Sequence, residues 1–105
     1  MNIQFKKGAL ELCVLSMLTS KNRYGYELAD QLSASIQISD GTVYPILRKL
    51  AVDGYVTTYL QESSGGPPRK YYALTPLGQV TQSKLLTEWQ EFIRHVEEIT
   101  GGDHT

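Results

Sequence analysis

The chain has 105 residues, one domain's worth, and its 41 % hydrophobic and 20 % charged composition excludes disorder for the bulk of it. It contains no run of about eighteen or more apolar residues, so no membrane-crossing helix is expected. The net charge of −1 hides a split: residues 1–83 carry 8 basic against 6 acidic side chains, giving +2, whereas residues 84–105 carry 2 against 5, giving −3. Only the first part can face phosphates. A domain of this size covers its apolar surface poorly, so pairing with a second copy is to be looked for.

Lys6 and Lys7 precede the largely apolar stretch Ala9 to Leu18 in the manner of a signal peptide, but Glu11 interrupts it and no small-x-small cleavage site follows. The stretch reads instead as a helix from about Lys7 to Thr19. Leu10, Val14, Met17 and Leu18 recur at helical spacing, and Leu12 and Leu15 make a second side apolar. A helix apolar nearly all round is buried from two directions, and another subunit is the expected second one. The single cysteine, Cys13, can form no internal disulfide, and its apolar neighbours predict a buried, inert thiol in a reducing, cytoplasmic setting.

Polar residues Thr19 to Arg23 predict a turn, and a second helix over 24–35 buries Tyr24, Leu28 and Leu32. Gly25 in its first turn predicts close backbone packing. A third helix starts from Ser39 as N-cap, with Ile38 stapled onto Val43. Val43, Ile46, Leu47 and Leu50 form its inward stripe, and Gly54 ends it. Its opposite face presents Tyr44, Pro45, Arg48, Lys49 and Val52, and Pro45 lies late enough to cost a backbone bond or bend the helix slightly.

The period then changes. Residues 55–60 are β-branched and aromatic, residues 63–68 carry turn chemistry, and residues 69–74 read as a returning strand. The result is a hairpin over 55–74 whose loop is too long for a two-residue turn. Thr75 caps a last helix with Pro76 at its first position, running to about Ile99, some 35 Å at roughly 1.5 Å per residue. Leu85, Trp89, Phe92, Val96 and Ile99 follow a heptad seam, widened by Leu86 and Ile93. Two heptads suffice for an interface but not for a free-standing coiled coil. Glu88, Glu91, Glu97 and Glu98 keep this helix soluble or favour a cationic ligand, and Gly101 to Thr105 read as a frayed, disordered tail.

Three short helices followed by a hairpin give an α+β, mainly α fold: a winged helix-turn-helix with a long C-terminal dimerisation helix. Residues 1–76 form the DNA-binding domain and 77–100 the dimerisation helix. The third helix is expected in the major groove and the hairpin, or wing, against the backbone or minor groove. The expected double-stranded DNA contacts are Thr42, Tyr44, Pro45, Arg48 and Lys49 from the helix and Gly65, Gly66, Arg69 and Lys70 from the wing. The expected homodimer interface is Leu10, Val14, Leu85, Trp89, Phe92, Val96 and Ile99.

Blander readings stand beside these. Arg48 and Lys49 also suit a solvated helix face, Arg69 and Lys70 a charged strand edge, and Tyr44 packing against the hairpin. No nucleophile with a positioned base, phosphate-cradling glycine loop or paired carboxylates in an apolar setting is visible, so no enzyme, cofactor or membrane partner is expected. His95 and His104 with one cysteine make no zinc pattern. Two other functions share this fold: a protein–protein association module, and a drug-binding protein that does not touch DNA.

Four linked motifs, Tyr24-Gly25-Tyr26-Glu27, the run Gly41 to Leu50, Asp53-Gly54-Tyr55-Val56 and the run Gly65 to Gly78, make the chain resemble the PadR family of bacterial transcriptional regulators over about residues 7–80. The resemblance implies a winged-helix repressor that dimerises through its C-terminal helix and answers to a phenolic or other planar aromatic compound. The short, single C-terminal helix resembles the compact subgroup that includes the lactococcal multidrug-binding regulator. By that resemblance Trp89 is a candidate ligand-binding residue, and Phe92, on the same stripe of the helix, is a second candidate.

Overall fold

In the computed structural model, which describes residues 3–101, the apolar periodicity of three segments produces α1 (Ile3–Met17), α2 (Gly25–Ser35) and α3 (Asp40–Val52). Their apolar faces meet in one core. Leu10, Val14, Leu15 and Leu18 of α1 pack with Leu28, Ala29 and Leu32 of α2 and with Val43, Ile46, Leu47 and Leu50 of α3. Burying each such leucine or valine stabilises the fold by about 1.5–3 kcal/mol. Leu10 and Val14 are 1 % and 0 % exposed within the single chain. They therefore have no surface to give a second copy, contrary to the sequence expectation. α1 is covered from two sides, but the second cover is the chain's own α4 (Pro76–Thr100). Gln82 Nε2 on α4 donates to Ser16 Oγ on α1 at 3.1 Å.

Three antiparallel strands, β1 (Arg23–Tyr24), β2 (Val56–Ser63) and β3 (Gly66–Leu74), lie in the order β1-β3-β2. The expected turn is present over residues 18–21, and the short strand β1 follows it where the sequence predicts the end of the turn and the start of the helix. Tyr24 is the extended N-cap of α2 and pairs with Tyr71, so its ring lies on the sheet and is not part of the helical stripe. Arg23, opposite Tyr72, donates from Nε to the Met17 carbonyl at 2.9 Å and from Nη1 to Glu27 at 3.2 Å. It thereby satisfies the end of α1 and ties it to α2. Arg23→Ala is expected to cost about 2 kcal/mol, a drop of about 10 °C in the thermal midpoint followed by circular dichroism. An unchanged midpoint would show that the half-buried bridge contributes nothing.

The wing is tighter than its composition suggests. Ser63 lies opposite Gly66, and Ser64 and Gly65 make a two-residue turn in which Gly65 adopts a left-handed φ of 75°. A register irregularity between Gln61 and Ser63 interrupts the ladder beside Pro67 and Pro68, which is how two residues without an N–H enter a strand. β1 covers β3 only at Tyr71 and Tyr72, so that edge of β3 is open from Gly66 to Lys70.

Gly54, at φ 82°, ends α3. Thr75 then joins α3 to α4: its N–H donates to the Tyr55 carbonyl at 3.1 Å and its hydroxyl to the Gly54 carbonyl at 2.7 Å. The same hydroxyl accepts from the Gly78 N–H at 2.9 Å, the N-cap bond, with Pro76 following in the first turn. α4 extends along a molecule 56 Å in its longest dimension and ends at Gly101, φ 74°. The rest of the expected tail lies outside the described residues. At α3, Ser39 is the N-cap, but its hydroxyl engages the Thr42 hydroxyl at 3.3 Å. Ile38 packs against the core, and the helix runs unbroken through Pro45.

Candidate nucleic-acid interface

Anchored by its buried stripe, α3 turns Tyr44 and Arg48, one helical turn apart, towards the hairpin. Arg69 and Lys70 reach the same space from the open edge of β3, and Tyr24, Gly25 and Tyr26 form the third wall. Together with Tyr72 they enclose a cleft of about 420 Å³, and no lining side chain is acidic. Such a concavity carries one sign of charge over aromatic walls, which concentrates anions. Gly25 is what lets the walls close. A Cβ there would come within 3.3 Å of the Tyr72 ring and 3.4 Å of the Tyr44 ring. Burial pushes the Tyr72 phenol pKa up, Tyr44 adds to the shift and Arg48 opposes it, so the phenol is neutral at physiological pH.

The aromatic walls are ordered. Tyr24 stacks on Tyr26 with centroids 6.5 Å apart and meets Tyr71 at 5.7 Å, and Tyr71 stacks on Tyr59 at 5.5 Å. The Tyr59 hydroxyl accepts from Asn22 Nδ2 at 3.0 Å. The Arg69 guanidinium carbon lies 4.7 Å from the Tyr24 centroid, and the Lys70 ammonium 5.8 Å from that of Tyr72.

Lys49 is not part of this cleft. One residue beyond Arg48, it points about 100° away and lies 2.9 Å from Asp53 and 3.4 Å from Glu11 on α1. The Asp53 hydrogen bond and the Glu11 charge raise its pKa above the ordinary lysine value. Thr42 and Pro45 sit earlier on α3, and Gly65 and Gly66 at the wing tip, outside the cleft lining. Tyr24, Gly25, Tyr26 and Tyr72 are the lining residues that sequence reasoning missed as site residues. Their signal was a glycine between two tyrosines at an element boundary, which is easily read as packing alone.

On α4, Leu85 packs against the core, and the Trp89 and Phe92 rings lie 6.4 Å apart. Trp89 forms a wall shared by two apolar grooves. One, of about 290 Å³, faces Ala9, Leu12 and Phe92, and the other, of about 450 Å³, faces Cys13, Met17, Leu32 and Ile36. Phe92 is 47 % exposed and Ile99 85 %. Cys13 is half-buried, and that burial raises its pKa, which keeps it a thiol at neutral pH. Among the described residues no helix is long and apolar enough to cross a membrane. Nor does any group of three or more His, Cys, Asp or Glu residues there suit a metal ion.

The transcriptional regulator PadR-like family matches residues 14–84, which span most of the helical core and the whole wing. Transcriptional regulator Rv3488 of Mycobacterium tuberculosis is 29 % identical over 103 residues, covering 97 % of this chain and 94 % of its own. A Streptococcus transcriptional regulator of known structure is 38 % identical, with a TM-score of 0.84 over 92 % of this chain and 97 % of its own. The PadR-like transcriptional regulator of Bacillus cereus strain ATCC 14579 is 31 % identical, with a TM-score of 0.82 over 92 % and 96 % of the two chains. With the winged-helix fold and the basic cleft in place, the chain belongs to the PadR-like family of transcriptional regulators and is a regulator rather than an enzyme.

Proposed function

We propose that the chain is a repressor that binds a palindromic operator as a homodimer, residues 1–76 reading DNA and the helix over 77–100 joining the copies. The observation that carries the DNA part is the cleft, where Arg48 from α3 meets Arg69 and Lys70 from the wing without an acidic neighbour in the lining. With α3 in the major groove and the wing beside it, the intervening sugar–phosphate strand falls between them, where a basic cleft is useful. The exposed Phe92, Val96 and Ile99 support pairing through α4. Two α3 helices would then meet half-sites roughly 34–36 Å apart.

A planar aromatic or phenolic molecule at Trp89 and Phe92, as in the compact multidrug-binding subgroup, would act as inducer. The two grooves that share the Trp89 wall support that reading. A ligand that prefers a pair with mis-spaced α3 helices lowers DNA affinity by linkage, typically by about 1–3 kcal/mol.

Gel shifts over a salt series test the DNA part. Arg48→Ala and Arg69→Ala are each expected to weaken binding to all duplexes alike and to flatten the salt dependence by about 0.9 in log–log slope for every phosphate no longer neutralised. Affinity and slope both unchanged in the two folded variants would remove the cleft from the DNA surface. No duplex binding by the wild-type protein at low salt would favour a protein–protein module.

A further inference from the structure

We propose that Tyr24 is a positioning residue for DNA binding: its ring holds the Arg69 guanidinium at the cleft, ready for a backbone phosphate. This rests on the reading of the cleft as a DNA surface. Tyr24 lies opposite Tyr71 across the β1–β3 pair, and Arg69 is two residues further along β3 on the same face. That makes Tyr24 and Arg69 diagonal neighbours, within reach for long and aromatic side chains. The observed 4.7 Å from guanidinium carbon to ring centroid realises this contact.

The nature of the partner matters as much as its distance. Arg69 makes no ion pair among the described residues. A carboxylate would occupy its N–H donors and cancel its charge. A ring face restrains the planar group while leaving the charge and the in-plane donors available to a phosphate. The ring is itself restrained. Tyr26 and Tyr71 pack on Tyr24, Tyr59 packs on Tyr71, and Asn22 hydrogen-bonds the Tyr59 hydroxyl. Arg23, next in the chain, fastens the same two-residue strand to the end of α1. A long side chain held in this way before DNA arrives loses less freedom on binding than one that is free on a strand edge.

The test measures binding of a fluorescent mixed-sequence duplex over a sodium chloride series. It compares the wild type, Tyr24→Phe, Tyr24→Leu, Arg69→Ala and the double variant Tyr24→Leu with Arg69→Ala. Tyr24→Phe keeps the ring and is expected to bind more tightly than Tyr24→Leu, with a salt slope closer to that of the wild type. Tyr24→Leu is expected to weaken binding about threefold and to lower the salt slope towards that of Arg69→Ala. Once Arg69 is alanine, Tyr24→Leu should have no further effect, an outcome that a purely structural role would not produce. If Tyr24→Leu does not fold, Tyr24→Met takes its place in the same comparisons. Equal weakening by the Tyr24 substitution in both backgrounds, or none in either while Arg69→Ala weakens binding, overturns the positioning role and leaves the DNA surface standing. An Arg69→Ala variant that binds like the wild type overturns the positioning role, and only if Arg48→Ala also binds like the wild type does the reading of the cleft as a DNA surface fall with it.

Discussion

Gly78→Ala is expected to destabilise the fold by about 3 kcal/mol or more, lowering the thermal midpoint by about 12 °C at least. Gly78 is buried in the first turn of α4, where its N–H bonds the Thr75 hydroxyl. A methyl group there would collide with the Tyr55 carbonyl and crowd the Leu74 side chain. The carbonyl is backbone and accepts the Thr75 N–H, so it cannot give way without opening the junction. Gly8→Ala provides the opposite sign. Nothing lies within 4 Å of a Cβ at Gly8 in α1, and the same substitution there should stabilise the chain by about 0.4–1 kcal/mol. Thermal denaturation of the two variants side by side checks both, and equal midpoints would show that α4 can shift off the Tyr55 carbonyl at little cost.

Trp89→Ala combined with Phe92→Ala is expected to leave single chains in sedimentation velocity, at concentrations where the wild type sediments as a proposed pair. The two rings pack together on α4, and the exposed Val96 and Ile99 continue the stripe beyond them. Truncating two central aromatic groups of an interface costs about 4 kcal/mol or more, which raises a dissociation constant about a thousandfold. Circular dichroism of the double variant verifies that the helices persist. A pair that survives the substitutions would move the interface off this part of α4. Leu10 and Val14 play no part in the design, because both are sealed in the chain's own core.

Long, strongly periodic segments were legible in the sequence. The stripe Val43, Ile46, Leu47 and Leu50 located α3, and Thr75-Pro76 located the start of α4. β1 was not legible, because two residues have no period, and its pairing with Tyr71 and Tyr72 is set by residues almost fifty positions away. The prolines at 67 and 68 imitated a loop, since nothing local reveals that the ladder is interrupted beside them. Lys49 looked like a partner of Arg48 because the two are adjacent in sequence. Its partners are Asp53, four residues on and within reach of helical spacing, and Glu11 on another helix, which no spacing rule reaches. Likewise the all-round apolar pattern of α1 shows burial on two sides, but sequence alone does not distinguish a second subunit from the same chain's last helix.

One hydroxyl, that of Thr75, bonds both the last carbonyl after α3 and the first turn of α4. The end of α3 and the start of α4 are therefore tied at one point, and re-aiming either helix alone at that corner would break one of these bonds. In a pair hinged at α4, a few degrees of scissoring between the long arms would be geared straight into the separation of the two reading heads, with no deformation of the body between them.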